Sequence, residues 1–307
     1  MHILMPCKVR ADVLRGVQET LQARGIDCTL YRYESADRLR RKLCEKAYDA
    51  VLSAESAVLS HVPRTVPTIY FGAEFHCADK RLPSDLSAYW IAQEELAFEC
   101  MTHGARDRNV QVCGIPLRPS YRTRETRTAA CRSLGIEPHQ MIFSVFTDGS
   151  APNEIKSTVR SVRVLSPEMQ VLLWSGEANR RSFWQSYFAP EQSVFVPDVE
   201  PHMPIALAAA DAVFCPAFAP LVCAAARQEK IVILLHTALS RARKNAAFLD
   251  AHGAAFCGKT AADNVSYACR LLSSERLRGN MLSAQAKYIV PDAEQRAEKF
   301  LREIVEK

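Results

Sequence analysis

The sequence predicts an α/β protein of two parallel-sheet domains facing each other across a cleft. Short apolar runs alternate with helix-length amphipathic segments throughout, the pattern of successive βα units. The series breaks once, at Cys113-Gly114-Ile115-Pro116-Leu117-Arg118-Pro119, and then starts again. Two prolines there remove backbone donors and push their predecessors out of helical space, so the chain crosses as an extended connector. At 307 residues it is long enough for two cores. The domains are set at residues 1–119 and 120–290, with residues 291–307 as a terminal helix crossing back to the first.

Composition narrows the function classes. Hydrophobic residues at 48% and charged ones at 24% are ordinary for a water-soluble globular chain. The net charge of +5 permits attraction to phosphates or anionic lipid without demanding either. None of the 11 cysteines forms a Cys-x-x-Cys pair, and Cys28, Cys215 and Cys257 sit in apolar runs, which predicts reduced thiols in a cytoplasmic protein with no disulfide framework and no metal site. No apolar run approaches the roughly 20 residues of a spanning helix, and the amino terminus lacks the pattern of a signal peptide. Walker loops, Gly-x-Ser-x-Gly elbows and Gly-x-Gly-x-x-Gly turns are absent, which argues against a P-loop enzyme, an α/β-hydrolase and a dinucleotide dehydrogenase. Nothing beyond scattered arginines suggests nucleic acid, and no cofactor is expected.

In the first domain, strands are expected over 2–5, 27–33, 48–53, 65–71, 88–92 and 110–113, with helices over 11–23, 36–46, 55–60 and 94–103. Arg38, Arg40, Arg41 and Lys42 form a basic run on the second helix. It is either a solvated face or a contact with anionic lipid, worth about 1 kcal/mol per basic residue near a membrane. Ligands of parallel sheets bind beyond the carboxyl ends of the strands. That places the Pro6-Cys7-Lys8 turn and an irregular polar loop over 72–84 at the ligand end, with Glu74 and His76 in the loop.

In the second domain the strands are expected over 140–146, 168–175, 193–196, 212–215, 231–235 and 254–257. Helices are expected over 124–134, 153–164, 201–210, 219–228 and 241–252, within 261–284, and over 292–306, while 182–188 supplies aromatic packing. Thr147-Asp148-Gly149-Ser150 ends the first strand just before a helix. Unpaired amides and the helix dipole meet there, so the turn is either a phosphate seat or a plain βα connection.

Several stretches resemble one family. Ala73-Glu74-Phe75, Tyr89-Trp90-Ile91-Ala92-Gln93-Glu94-Glu95-Leu96, Gly104, the connector 113–119, and 196–211 with Met203 and Ala208-Ala209-Ala210-Asp211 are similar to motifs of the monogalactosyldiacylglycerol-synthase-type glycosyltransferases. Those are relatives of the peptidoglycan N-acetylglucosaminyltransferase. The resemblance covers about residues 45 to 257 and implies the GT-B fold, two Rossmann-like domains. It further implies an inverting, metal-independent hexosyl transfer from a nucleoside-diphosphate sugar, UDP-linked in this family, to a diacylglycerol-type lipid, at a peripheral position on the inner face of a membrane.

On this resemblance the donor meets Thr147, Gly149, Ser150, Gly176, Val196, Met203, Ala219, Arg241, Arg243 and Asn245, with His202 beside the base. Lys8, Arg10 and Arg118 are the expected anion contacts of the cleft. His76 and Glu74 are the candidates for the base that inversion requires, read alternatively as solvated loop residues; Asp12 is a further candidate or a helix cap. The chain departs from the family at three places. Met5-Pro6-Cys7-Lys8-Val9-Arg10 carries no glycine or histidine, Phe218 and Ala224 replace a glycine and a glutamate, and Arg241-Ala242-Arg243-Lys244 replaces an acidic run. Cations at 241 and 243 either suit a diphosphate or form an exposed basic helix start, and the losses open a second expectation, a non-catalytic GT-B-like binding or partner subunit.

Overall fold

The computed structural model describes residues 1–122, 125–197 and 203–306, with residue 12 described for its backbone alone. The chain divides into two compact units, Met1–Pro119 with Tyr288–Lys307, and Ser120–Lys287.

Unit 1 runs β1 His2–Cys7, α1 Ala11–Gln22, β2 Asp27–Arg32, α2 Ala36–Glu45, β3 Ala50–Ser53, α3 Ser56–Leu59, β4 Thr68–Phe71, β5 Ala88–Ile91, α4 Glu95–Thr102 and β6 Val110–Val112. Its sheet has the order β2-β1-β3-β4-β5-β6, and every pairing is parallel. β1, β3, β4 and β5 are buried along their whole length, as unbroken apolar runs in a covered parallel sheet should be. Leu14, Val17 and Leu21 recur at helical spacing on α1 and pack against Ile3, Met5 and Leu52. Ser35 begins α2 by accepting the Arg38 N–H at 3.3 Å.

Unit 2 runs α5 Arg127–Leu134, β7 Ile142–Phe146, α6 Pro152–Leu165, β8 Gln170–Trp174, α7 Ala178–Phe188, β9 Val194–Phe195, α8 Met203–Ala209, β10 Ala212–Cys215, α9 Ala219–Arg227, β11 Ile231–Leu234, α10 Ser240–Ala251, α11 Ala261–Ser273 and α12 Glu275–Tyr288. Its parallel sheet has the order β11-β10-β7-β8-β9. Asp211 locks the start of β7, accepting from the Ile142 N–H at 2.8 Å and from Arg127 Nη2 at 2.7 Å. The last helix, α13 Ala293–Val305, belongs to unit 1, where Ala297, Phe300 and Leu301 join the core and Arg24 Nε meets Glu298 Oε2 at 2.5 Å.

Several expected boundaries move. Pro6 and Cys7 are strand, not turn: Pro6 has no N–H to give to the ladder, and its carbonyl accepts from Ser53 Oγ at 2.7 Å. Residues 182–188 are the end of α7, with Trp184 turned into the core and Phe183 and Tyr187 half exposed beneath the Lys156 ammonium. The strand expected over 254–257 reduces to one bridge, Ile233 with Phe256.

The connector is fastened within unit 1. Trp90 Nε1 donates to the Gly114 carbonyl at 2.7 Å, the Leu117 N–H donates to Glu294 Oε1 at 2.8 Å, and Thr20 Oγ1 donates to the Leu117 carbonyl at 2.8 Å. Gly114 has φ +79°, and a Cβ there would stand 2.5 Å from Cβ of Val290, so both backbone and packing demand glycine.

Candidate functional site

The turn after β7 is the most constructed part of unit 2. Thr147 is fully buried and its N–H donates to the Trp174 carbonyl at 3.0 Å. Asp148 bridges to the end of β8: its two carboxylate oxygens accept from Ser175 Oγ at 2.6 Å and from the Gly176 N–H at 2.7 Å. Gly149 lies at φ +83°, and a Cβ there would come within 2.3 Å of Cζ of Phe218. Its carbonyl accepts from Thr237 Oγ1 at 2.7 Å, which brings in the end of β11. Arg180 reaches over from α7, donating through Nη1 to the Thr147 carbonyl at 2.8 Å and the Ser150 carbonyl at 3.0 Å.

α6 then starts with Pro152 at its first position and no side-chain cap. The Thr147 and Ser150 hydroxyl oxygens, both buried, have no hydrogen-bond partner. Burying a polar group without a partner costs about 1–3 kcal/mol, and such groups in a native fold call for an explanation. An uncapped helix start with a guanidinium over the same turn suits a tetrahedral oxyanion, and the two hydroxyls lie beneath that surface.

The structure therefore joins Thr147, Gly149, Ser150 and Gly176 through Asp148, and Ala219 follows the Phe218 that packs on Gly149. Asn245 is fully buried and donates to the Ala217 carbonyl at 2.9 Å, so it holds the turn after β10. Arg241 and Arg243 are exposed on the first turns of α10, and Arg243 lines a cavity of about 270 Å³ with His236, Thr237 and Asp250. Val196 and Met203 stand at the β9 edge and the start of α8; no hydrogen bond or ion pair joins them to the turn among the described residues. His202 lies outside the described residues.

In unit 1 the loop after β4 departs from expectation. Residues 72–77 are buried throughout, including Glu74 and His76 at 6% and 9% exposure, so the reading of these two as solvated loop residues fails. Phe75 and Ala73 carry the segment into the core around β4, which a loop read as polar from its charges does not disclose. The next residue, Cys77, is unusual among the cysteines. A hydrogen bond with Cys100, then His103, pulls its thiol down to about 6, while the same pairing and burial push Cys100 up. Burial alone pushes Cys215 up to about 12, as expected of an inert core thiol.

Two of the expected anion contacts are turned inward. Arg10 donates through Nη1 to the Ala54 carbonyl at 2.5 Å and faces Asp79 at 3.6 Å. Arg118 lies along Gly16, with Nε 3.7 Å from a Glu19 carboxylate oxygen. Lys8 is exposed, and its N–H donates to Glu55. The side chain of Asp12 lies outside the described residues. Sequence reasoning named Asp148 and Phe218 without their contacts and missed Arg180, Thr237 and the role of Glu55, whose partners are brought to them only by the fold.

Among the described residues no group of three or more His, Cys, Asp or Glu side chains could hold a metal ion, and no helix is long and apolar enough to cross a membrane.

No family model matches the chain, and no curated protein matches it significantly. Solved structures do. The glycotransferase of kitacinnamycin superposes with a TM-score of 0.69 at 12% identity, over 99% of this chain and 98% of the other. MurG of Acinetobacter baumannii gives 0.66 at 11%, over 98% and 99%. The UDP-GlcNAc 2-epimerase of Neisseria meningitidis, solved with UDP-GlcNAc bound, gives 0.65 at 12%, over 99% and 100%. With both sheets parallel throughout and these likenesses spanning nearly the whole chain, the fold is GT-B.

Proposed function

We propose that the chain is a GT-B hexosyltransferase that takes a hexosyl group from a UDP-sugar held on unit 2 and moves it, with inversion, to the hydroxyl of an acceptor held on unit 1. The observation that carries this reading is the turn over 147–150, where two buried hydroxyls without partners flank an uncapped helix start. The donor diphosphate belongs there, with Gly176 fixing the turn through Asp148 and Ala219 starting the neighbouring helix. Arg241 and Arg243 then supply positive charge from α10. UDP-GlcNAc in the Neisseria neighbour supports uridine as the nucleoside of the donor.

The acceptor we propose is a diacylglycerol-type lipid, with the basic face of α2 against an anionic membrane surface. Arg38, Arg40 and Arg41 are exposed there, although Arg38 pairs with Glu34 and Arg40 with Asp37. His76 or Glu74 takes the proton of the attacking hydroxyl. Burial of both favours this, since a base works best where water does not compete for it.

Phe218 favours a second reading. Its ring fills the space over Gly149, which a phosphate otherwise approaches, and that suits a binding subunit that has kept the fold without turnover.

Product formation from UDP-glucose and UDP-galactose with diacylglycerol separates the two. The wild-type protein should turn over, and His76→Ala or Glu74→Gln should lower kcat about 100-fold or more. Unchanged turnover in both variants removes the base assignment. UDP binding with no product from either sugar selects the binding subunit.

A further inference from the structure

Unit 1 carries an amide seat of the same kind as unit 2, but it is already filled. The N–H groups of Lys8, Val9 and Arg10, between the end of β1 and the start of α1, all donate to one oxygen of Glu55, at 2.9, 2.8 and 3.1 Å. Successive amides ahead of a helix form an anion-binding concavity, where a phosphate or carboxylate is held by backbone dipoles alone. Here the chain provides the anion. Burial pushes the Glu55 carboxyl up, yet the three amide bonds and Arg10 outweigh it and hold the group below the ordinary carboxylate range. It therefore stays ionised at neutral pH.

The plug is anchored on both sides. The Glu55 N–H donates to Ser53 Oγ at 3.2 Å, and Arg10 is bound to Ala54 and Asp79. Neighbouring amides are filled in the same way: Asp79 accepts the Ser56 N–H at 2.9 Å, and Glu99 accepts the Cys77 N–H at 2.8 Å. Three carboxylates thus occupy backbone donors around this end of the sheet. Neither α1 nor α6 has a side-chain cap of its own; unit 2 differs in that two buried hydroxyls beside α6 are without partners. One unit is prepared for an incoming anion, and the other is closed to it.

We propose that Glu55 keeps phosphate groups out of this seat, those of an acceptor included. By filling the amide seat of unit 1 with a resident carboxylate, it excludes any ligand group of like charge there. This rests on the transferase reading of unit 2. A second anion would meet both an occupied seat and like charge, so removal of the carboxylate should create a site that the wild-type protein lacks.

The test is a titration of full-length wild type, Glu55→Ser and Glu55→Ala with inorganic pyrophosphate, read at the amide resonances of Lys8, Val9 and Arg10. In wild type these amides should not shift with pyrophosphate. In Glu55→Ala they should shift saturably, with affinity at least tenfold above any seen in wild type, and in Glu55→Ser they should shift as well. Glu55→Ser is too short to reach the three amides and keeps a hydroxyl for local hydrogen bonding, so it carries the test if the alanine variant fails to fold. Saturable shifts at residues 8–10 in wild type, or none in a folded variant, overturn the proposal. UDP titration of wild type, read at residues 147–150, tests the donor reading separately, so failure of one is distinguishable from failure of the other.

Discussion

Gly149→Ala is expected to weaken UDP binding at least tenfold, which is about 1.4 kcal/mol. Two independent demands meet at this residue. Its φ of +83° lies in the left-handed region, and a Cβ would stand 2.3 Å from Cζ of Phe218. A side chain must therefore push the ring away or pull the turn off its bonds to Thr237 and Arg180. The second movement displaces the backbone at the start of α6. The double variant Gly149→Ala/Phe218→Ala separates the causes. Removing the ring relieves the contact and leaves only the φ penalty, of roughly 1–2 kcal/mol. Calorimetric titration with UDP should show the double variant binding more tightly than Gly149→Ala alone. Equal affinity for UDP in wild type and Gly149→Ala would remove this turn from the donor site.

Trp90→Ala is expected to destabilise unit 1 by about 3–5 kcal/mol from lost packing, with a further cost of about 1–3 kcal/mol for the Gly114 carbonyl left without its donor. The indole is fully buried, tilted against Phe71 at 4.7 Å between centroids and edge-on to Phe300 at 6.2 Å. It therefore ties β5 both to the connector and to α13. Trp90→Phe keeps most of the ring and isolates the hydrogen bond, so it should lose only about 1–3 kcal/mol. Urea unfolding followed by circular dichroism measures both. A loss below 1 kcal/mol in Trp90→Ala would contradict the role given to this side chain.

The fold was legible because its signals are local. The strand Ala212–Cys215 is an apolar, β-forming run bounded by Asp211 and Pro216, and Gly135 closes α5 at φ +71°, as a glycine after a helix should. The run over 182–188 was not, because Phe183, Trp184, Tyr187 and Phe188 satisfy an aromatic packing pattern as well as a helical one, and only its place beside Lys156 on α6 decides. The loop over 72–77 misled for the opposite reason. Its charges read as solvent-facing, while Ala73, Phe75 and Cys77 supply the burial that carries Glu74 and His76 inward.

The site was half legible. The turn over 147–150 shows itself through one glycine between a strand and a helix. Its supports, Arg180 and Phe218, lie about thirty and seventy residues further along, and a single chain offers no pattern that links them. Glu55 and the amides it fills are 45 to 47 residues apart for the same reason. Arg10 and Arg118 show what charge near a strand end leaves unsaid: each faces a neighbouring carboxylate, and Arg10 a carbonyl as well.

Calorimetric titration of the wild-type protein with UDP tests the central claim most directly. The account predicts saturable binding with Kd below about 1 mM, the equivalent of roughly 4 kcal/mol, from a diphosphate seated over residues 147–150. Absence of any binding heat at millimolar UDP would contradict it.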